Sequence, residues 1–223
     1  NGQKQILKEL DDDIKSKFRM FRLIQGDVGS GKTILALISA AKVCRSGYQV
    51  AYMSPTEILS KQQFFECKKL LEFLNIKVEL LSSKTSNKNE ITNNLSKGKI
   101  DLIIGTHALF QKKIKFKKLG LIIIDEQHKF GVNQRKKLSD KGGNDCDVLL
   151  MSATPIPRTL TMTIYGDMDL SIIKEKPKSR KEAKTYTKLE TKIDDIIKFI
   201  KKEIENGNQV FWVCPLIEES KKI

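Results

Sequence analysis

Residues 21–33 read Phe21-Arg-Leu-Ile-Gln-Gly26-Asp-Val-Gly-Ser-Gly-Lys32-Thr33, and this stretch decides the fold. An apolar run enters a glycine-rich turn that fits G-x-x-x-x-G-K-[ST], and a helix candidate, Lys32–Arg45, follows it. Strand, loop and helix in that order are the context the pattern requires. Glycines let the backbone wrap phosphate groups with N–H groups turned inward, and the helix N-terminus adds partial positive charge. Gly26, Asp27, Val28, Gly29, Ser30 and Gly31 would cradle the phosphates of a nucleotide. Lys32 would reach the β- and γ-phosphates, and the Thr33 hydroxyl would ligate Mg²⁺. With Gly at ~7% of residues, a chance match somewhere in a chain of this length has odds of roughly 1 in 50.

Outward from the loop, short apolar runs alternate with helical segments. Strands are predicted at Phe21–Gln25, Val50–Ser54, Lys77–Leu81, Asp101–Gly105, Leu119–Asp125, Val148–Ser152 and Leu170–Ile173. Helices are predicted at Gln3–Lys15, Lys32–Arg45, Ile58–Leu74, Lys88–Ser96, Gln134–Lys141 and Thr159–Tyr165, with Ser82–Asn89 a polar, mobile loop. This alternation predicts an α/β fold with a mainly parallel sheet and helices on both faces. Lys174–Arg180, which holds Pro177, reads as a linker. A second pattern then starts: a strand at Ala183–Leu189, a helix at Lys192–Glu205, a stop at Gly207-Asn208 and a strand at Val210–Cys214. The expected division is a nucleotide-binding domain over 1–178, then a linker and the start of a second domain over 179–223.

Leu121-Ile-Ile-Ile-Asp125-Glu126-Gln127-His128 is an apolar strand ending in carboxylates. Parallel sheets bind ligands at the C-terminal ends of their strands. There Asp125 would hold Mg²⁺ through water, and Glu126 would orient or deprotonate an attacking water. Ser152-Ala-Thr154 ends another apolar run. Alone it is an ordinary cap before Pro155. Beside the other motifs, its hydroxyls could bond the acidic strand end through His128 and so relay the state of the nucleotide.

The chain of 223 residues carries 41 Lys+Arg against 27 Asp+Glu, a net charge of +14. Such an excess suits a polyanionic partner. It equally suits solvated lysine-rich faces, since only six of the basic residues are Arg. No apolar run approaches the ~20 residues of a membrane span, so no membrane partner is expected. Cys44, Cys67, Cys146 and Cys214 show no metal-ligand spacing; reduced, buried thiols of a cytoplasmic protein and no structural metal are expected. The polar start, Asn1-Gly-Gln-Lys-Gln, shows no signal peptide. Because that start lacks Met, an excerpt of a longer protein is expected.

The set Gly26–Thr33, Asp125-Glu-Gln-His128 and Ser152-Ala-Thr154 resembles superfamily 2 helicases and translocases. Longer stretches are similar to the RecG family of bacterial fork-remodelling DNA helicases. They are Ser54-Pro-Thr-Glu-Ile-Leu, Gly105-Thr-His-Ala-Leu, Asp125-Glu-Gln-His-Lys-Phe-Gly-Val-Asn-Gln-Arg135, Met151-Ser-Ala-Thr-Pro-Ile-Pro-Arg158-Thr-Leu, Tyr165-Gly-Asp-Met-Asp-Leu-Ser and Val213-Cys-Pro-Leu-Ile-Glu-Glu-Ser220. Ser30 and Gln127 side with this family against the transcription-repair coupling translocases. Lys129 and Lys176–Arg180 depart from its pattern, in surface and linker positions.

The resemblance implies an ATP- and Mg²⁺-dependent motor on branched or duplex DNA, with a RecA-like first domain. It also implies further parts, a second RecA-like domain and an N-terminal wedge domain. By the same resemblance Gln3 reads adenine, and Pro55, Thr56, Thr106, His107 and Arg158 contact nucleic acid. From the residues alone, Thr56 and Thr106 also suit plain helix caps, and His107 also suits a core position. A nucleotide-dependent switch and an RNA motor stay open as other readings.

Overall fold

The computed structural model describes residues 2–83, 85–111, 113–126, 146–154, 168–175 and 184–213, and every structural statement below concerns these. Contacts divide the chain into two compact units, Asn1–Lys178 and Ser179–Ile223.

The first unit starts with helix α1 (Gly2–Lys15), which buries Ile6 and Leu10, an i,i+4 pair on one face. Strand β1 (Phe21–Gly26) leads through the glycine loop into α2 (Lys32–Arg45). Then come β2 (Gln49–Met53), α3 (Glu57–Leu71), β3 (Val78–Leu81), α4 (Lys88–Ser96), β4 (Leu102–Gly105), β5 (Leu119–Ile124), β6 (Asp147–Ser152) and β7 (Asp169–Ile173). All strand pairs are parallel, in the order β3-β4-β2-β5-β6-β1-β7.

The sheet is covered on both faces. Leu121 and Ile123 of β5 join one apolar cluster, with Leu35, Ala36 and Tyr52; Ile122 and Ile124 join the other, with Leu23 and Met53. Burial on both faces is why these strands read as continuous apolar runs rather than as alternating ones. At the opposite end from the glycine loop, Gln49 is a buried polar junction. Its amide donates to Leu95 O and Ile100 O at 2.9 and 2.7 Å, and its carbonyl accepts from Lys117 N and Lys118 N at 2.7 and 3.1 Å.

Several expectations are corrected in detail. Ser54 and Asp125 stand one residue past their strands, where the chain leaves the ladder. The helix predicted over Ile58–Leu74 is α-helical to Leu71 and tightens to a 3-10 turn over Glu72–Leu74, ended by Asn75 in the left-handed region. Asparagine adopts that conformation more readily than most residues. The loop before α4 is anchored: Ser82 N donates to Thr85 Oγ1 at 3.0 Å, and Lys88 Nζ to Ser83 O at 2.6 Å. The helices predicted at Gln134–Lys141 and Thr159–Tyr165 lie outside the described residues.

In the second unit a 3-10 turn, Glu190–Lys192, opens helix α5 (Ile193–Glu205), none of whose residues is buried. The strands predicted at Ala183–Leu189 and Val210–Cys214 are not formed at their described positions, 184–189 and 210–213. A strand exists by pairing, and the described residues of this unit offer these segments no partner.

Candidate nucleotide site

Strand order decides what meets at the C-terminal edge of the sheet. β6 lies between β5 and β1, so Asp125-Glu126, Ser152–Thr154 and the glycine loop come off three adjacent strands. β2 and β4 follow on the other side of β5 and bring Pro55-Thr56 and Thr106-His107 to the same edge.

The loop's shape depends on its glycines. Gly29 and Gly31 have φ of 78° and 93°, which disfavour a Cβ. At Gly31 there is no room for one either, since it would stand 2.5 Å from Gln3 Nε2. Gln3 crosses from α1 and donates to Ser30 O at 2.7 Å, so the residue expected to read the base touches the phosphate loop directly. Gly31→Ala is expected to cost about 1–2 kcal/mol from backbone strain alone. It should also push Gln3 away. Thermal unfolding beside an ATP titration checks both effects.

Lys32 is buried and donates to Gly26 O at 2.6 Å and Asp27 O at 3.0 Å. Burial lowers its ammonium below the ordinary lysine value, against the pull of Glu126, Asp125 and Asp27. Burial also raises Asp125 above the usual carboxylate range, and the Glu126 charge adds to the rise; the Glu126 N–H, Lys32 and the Tyr52 hydroxyl oppose it. Tyr52 is fully buried and its hydroxyl reaches Asp125 Oδ2 at 3.4 Å. Glu126 sits at φ 49°, with its N–H on Asp125 Oδ1 at 3.0 Å. Each shift is one that a ligand of the matching sign would relieve: a cation beside Asp125, an anion beside Lys32. Among the described residues no three His, Cys, Asp or Glu gather to hold a metal by themselves. One carboxylate and one hydroxyl, completed by water and phosphate, are a donor set that suits Mg²⁺. Thr33 is half-buried at the loop's exit into α2.

The hydroxyls of Ser152 and Thr154 bond each other at 2.9 Å, and Thr154 O accepts from Gln25 Nε2 at 3.1 Å. The Gln25 bond therefore ties the end of β6 to the strand entering the phosphate loop; the expected link from the hydroxyls to the acidic strand end runs through His128. The reason is the position of β6, with Ser152 in register with Gln25. Reading the motifs alone passes over Gln25, although a glutamine directly before Gly26 in an apolar strand is a usable signal. Nothing in the sequence pointed to Tyr52. His128 and Arg158 lie outside the described residues.

Thr56 caps α3, its hydroxyl accepting from Leu59 N at 3.3 Å, and its side chain stays at the surface. Thr106 is buried and makes no side-chain cap bond. His107 is exposed, which rules out the core position. Cys44, Cys67 and Cys146 are buried free thiols, pushed by burial to about 12. No described helix is long and apolar enough to cross a membrane.

The model of the DEAD/DEAH box helicase family matches residues 1–163. The chain belongs to that family. Similarity to RecG extends along the whole chain: 49% identity to the ATP-dependent DNA helicase RecG of Bacillus subtilis and 47% to that of Aquifex aeolicus, each covering 100% of this chain. The chain spans 33% and 28% of those relatives' lengths. A solved structure of RecG bound to a three-way DNA junction superposes with a TM-score of 0.82 and 40% identity, covering 97% of this chain and 29% of that one. A DEAD box protein from Methanococcus jannaschii, at 19% identity and a TM-score of 0.59, shares the fold. The parallel sheet is the RecA-like α/β fold that the resemblance implied.

Proposed function

We propose that this chain is the nucleotide-binding motor portion of a RecG-type, ATP-dependent DNA helicase that acts in the cytoplasm on branched or duplex DNA. The observation that carries the reading is the shared sheet edge. The phosphate loop, the Asp125-Glu126 pair and two loops suited to a nucleic-acid backbone all leave it together.

In this reading Gln3 meets adenine, and the loop N–H groups with Lys32 hold the phosphates. Thr33 and Asp125 would hold Mg²⁺, Asp125 through water, and the ion would supply charge neutralisation for the phosphates. Glu126 orients the attacking water and accepts its proton. Pro55, Thr56, Thr106, His107 and Arg158 form the track, to which Thr56 and His107 offer exposed side chains and the buried Thr106 offers backbone; hydroxyls and backbone N–H groups at helix starts suit phosphate contacts. Ser152 and Thr154, with His128, pass the state of the nucleotide to that track. A second RecA-like domain completes the site, and an N-terminal wedge domain engages the branch point.

The bond from Gln25 to Thr154 makes a specific expectation. Gln25→Leu should leave ATP binding intact and cut DNA stimulation of turnover at least about fivefold, the lower end of a coupling free energy. ATPase assays with and without DNA measure it.

The reading as a whole is tested by ATP turnover of the full-length protein with no nucleic acid, linear duplex, forked DNA and RNA of the same sequence. Stimulation is expected from DNA, most strongly from the fork. Equal turnover in all four would mean a nucleotide switch, and stronger stimulation by RNA would mean an RNA motor.

A further inference from the structure

Arg22 is a buried charge in an otherwise apolar part of β1. Its guanidinium gathers groups from two other elements. Asp13 of α1 takes it at two points, Nε to Oδ2 at 2.5 Å and Nη2 to Oδ1 at 3.1 Å. Nη1 donates to Glu9 Oε2 of α1 at 3.4 Å and to Ser171 Oγ of β7 at 2.9 Å. The Ser171 hydroxyl donates in turn to Glu9 at 2.5 Å, and Asp169 of β7 stands 3.8 Å from Nη2.

Glu9 and Asp13 are i,i+4 neighbours on one helix face and would repel each other without a cation between them. Buried ion pairs are poor stabilisers, because desolvation offsets the attraction; their best-attested use is to fix register. Register matters on this helix. Gln3 lies ten residues before Asp13, about 15 Å along the axis. Its bond to Ser30 O is 2.7 Å long. A bond of that length tolerates only a few tenths of an ångström of slip. The apolar contacts of Ile6 and Leu10 are non-directional and do not set that register. Two other polar ties of α1, Gly2 N to Glu175 and Lys42 of α2 to Asp11, are exposed and so hold it less firmly.

We propose that Arg22 is a positioning residue for base recognition: it sets α1 on the sheet so that Gln3 meets adenine. The inference rests on the reading of Gln3 given above. It assigns Arg22, Glu9, Asp13 and Ser171 a part in nucleotide selectivity, although none of them borders the phosphates.

The test uses the full-length protein with three probes: ATP, GTP, and inorganic tripolyphosphate, which carries phosphates without a base. Arg22→Met is expected to raise the KM for ATP and to lower the preference for ATP over GTP by about three- to tenfold, the worth of one ordinary hydrogen bond. Turnover at saturating ATP and affinity for tripolyphosphate should stay at wild-type values. Arg22→Met/Asp13→Leu carries the same expectation should the single variant fail to fold, since apolar replacement of both partners of a buried pair is often neutral. In that double variant Glu9 keeps its bond from Ser171. Losses from Gln3→Ala and from the Arg22 variants should not add, because both act through one contact. An unchanged ATP:GTP ratio, a parallel loss of tripolyphosphate binding, or full additivity with Gln3→Ala overturns the proposal. Undiminished tripolyphosphate binding by Lys32→Ala would instead overturn the nucleotide-site reading on which it rests.

Discussion

Glu126→Gln is expected to slow ATP hydrolysis by roughly 10²–10⁴-fold, the usual worth of a positioned general base. Nucleotide binding should stay close to that of the wild type. Glutamine has the shape of glutamate, so the loop geometry survives, including the N–H bond from residue 126 to Asp125 Oδ1 at 3.0 Å. What is lost is the charge that accepts the proton of water. The backbone at Glu126 is itself unusual, with φ at 49° for a residue that is not glycine. Such conformations cost on the order of 1–3 kcal/mol and cluster at functional sites. Single-turnover hydrolysis beside fluorescent-nucleotide binding separates the two effects. Asp125→Asn should differ, by weakening the Mg²⁺ dependence of binding. Equal losses of ATP affinity in both variants would show that the division of roles between these carboxylates is wrong.

Lys32→Ala is expected to weaken ATP binding by roughly 10²–10⁴-fold, from the loss of charge-assisted hydrogen bonds worth about 1.5–3 kcal/mol each to two phosphates. Lys32 donates to Gly26 O and Asp27 O and is drawn by Glu126, Asp125 and Asp27. Its removal therefore acts in two ways. It takes away the cation aimed at the phosphates, and it removes one of the charges that oppose the rise of Asp125, so Asp125 rises further above its ordinary range. Direct ATP titration of the full-length protein measures the loss. Affinity within a few-fold of wild type would remove this loop from the motor site. Lys32→Arg is not a conservative control, because a planar guanidinium does not replace a compact ammonium in a narrow loop.

The parts of this protein that were legible in the sequence are those whose chemistry is local. The phosphate loop is one contiguous segment, so its glycines, Lys32 and Thr33 declare it without a partner. The apolar runs of β1, β2, β4, β5 and β6 were also plain, because strands buried on both faces need apolar side chains throughout. The carboxylates of Asp125 and Glu126 could be placed at a strand end, and hence at the ligand edge, by the rule for parallel sheets.

Tertiary structure alone decided which strand ends are neighbours. The position of β6 between β5 and β1 sent the Thr154 contact to Gln25. The pairing of β7 with the other edge of β1 placed Arg22 against Ser171, 149 positions away in the chain. Exposure of His107 and the pairing of Tyr52 with Asp125 belong to the same class. So do the segments 184–189 and 210–213, whose apolar pattern reads as strand and whose described surroundings supply no ladder. The physical reason is common to all of these. Local sequence sets what a segment can become, whereas hydrogen-bond partners and burial are set by segments distant in the chain, and a pairing between distant strands leaves no mark on either sequence alone.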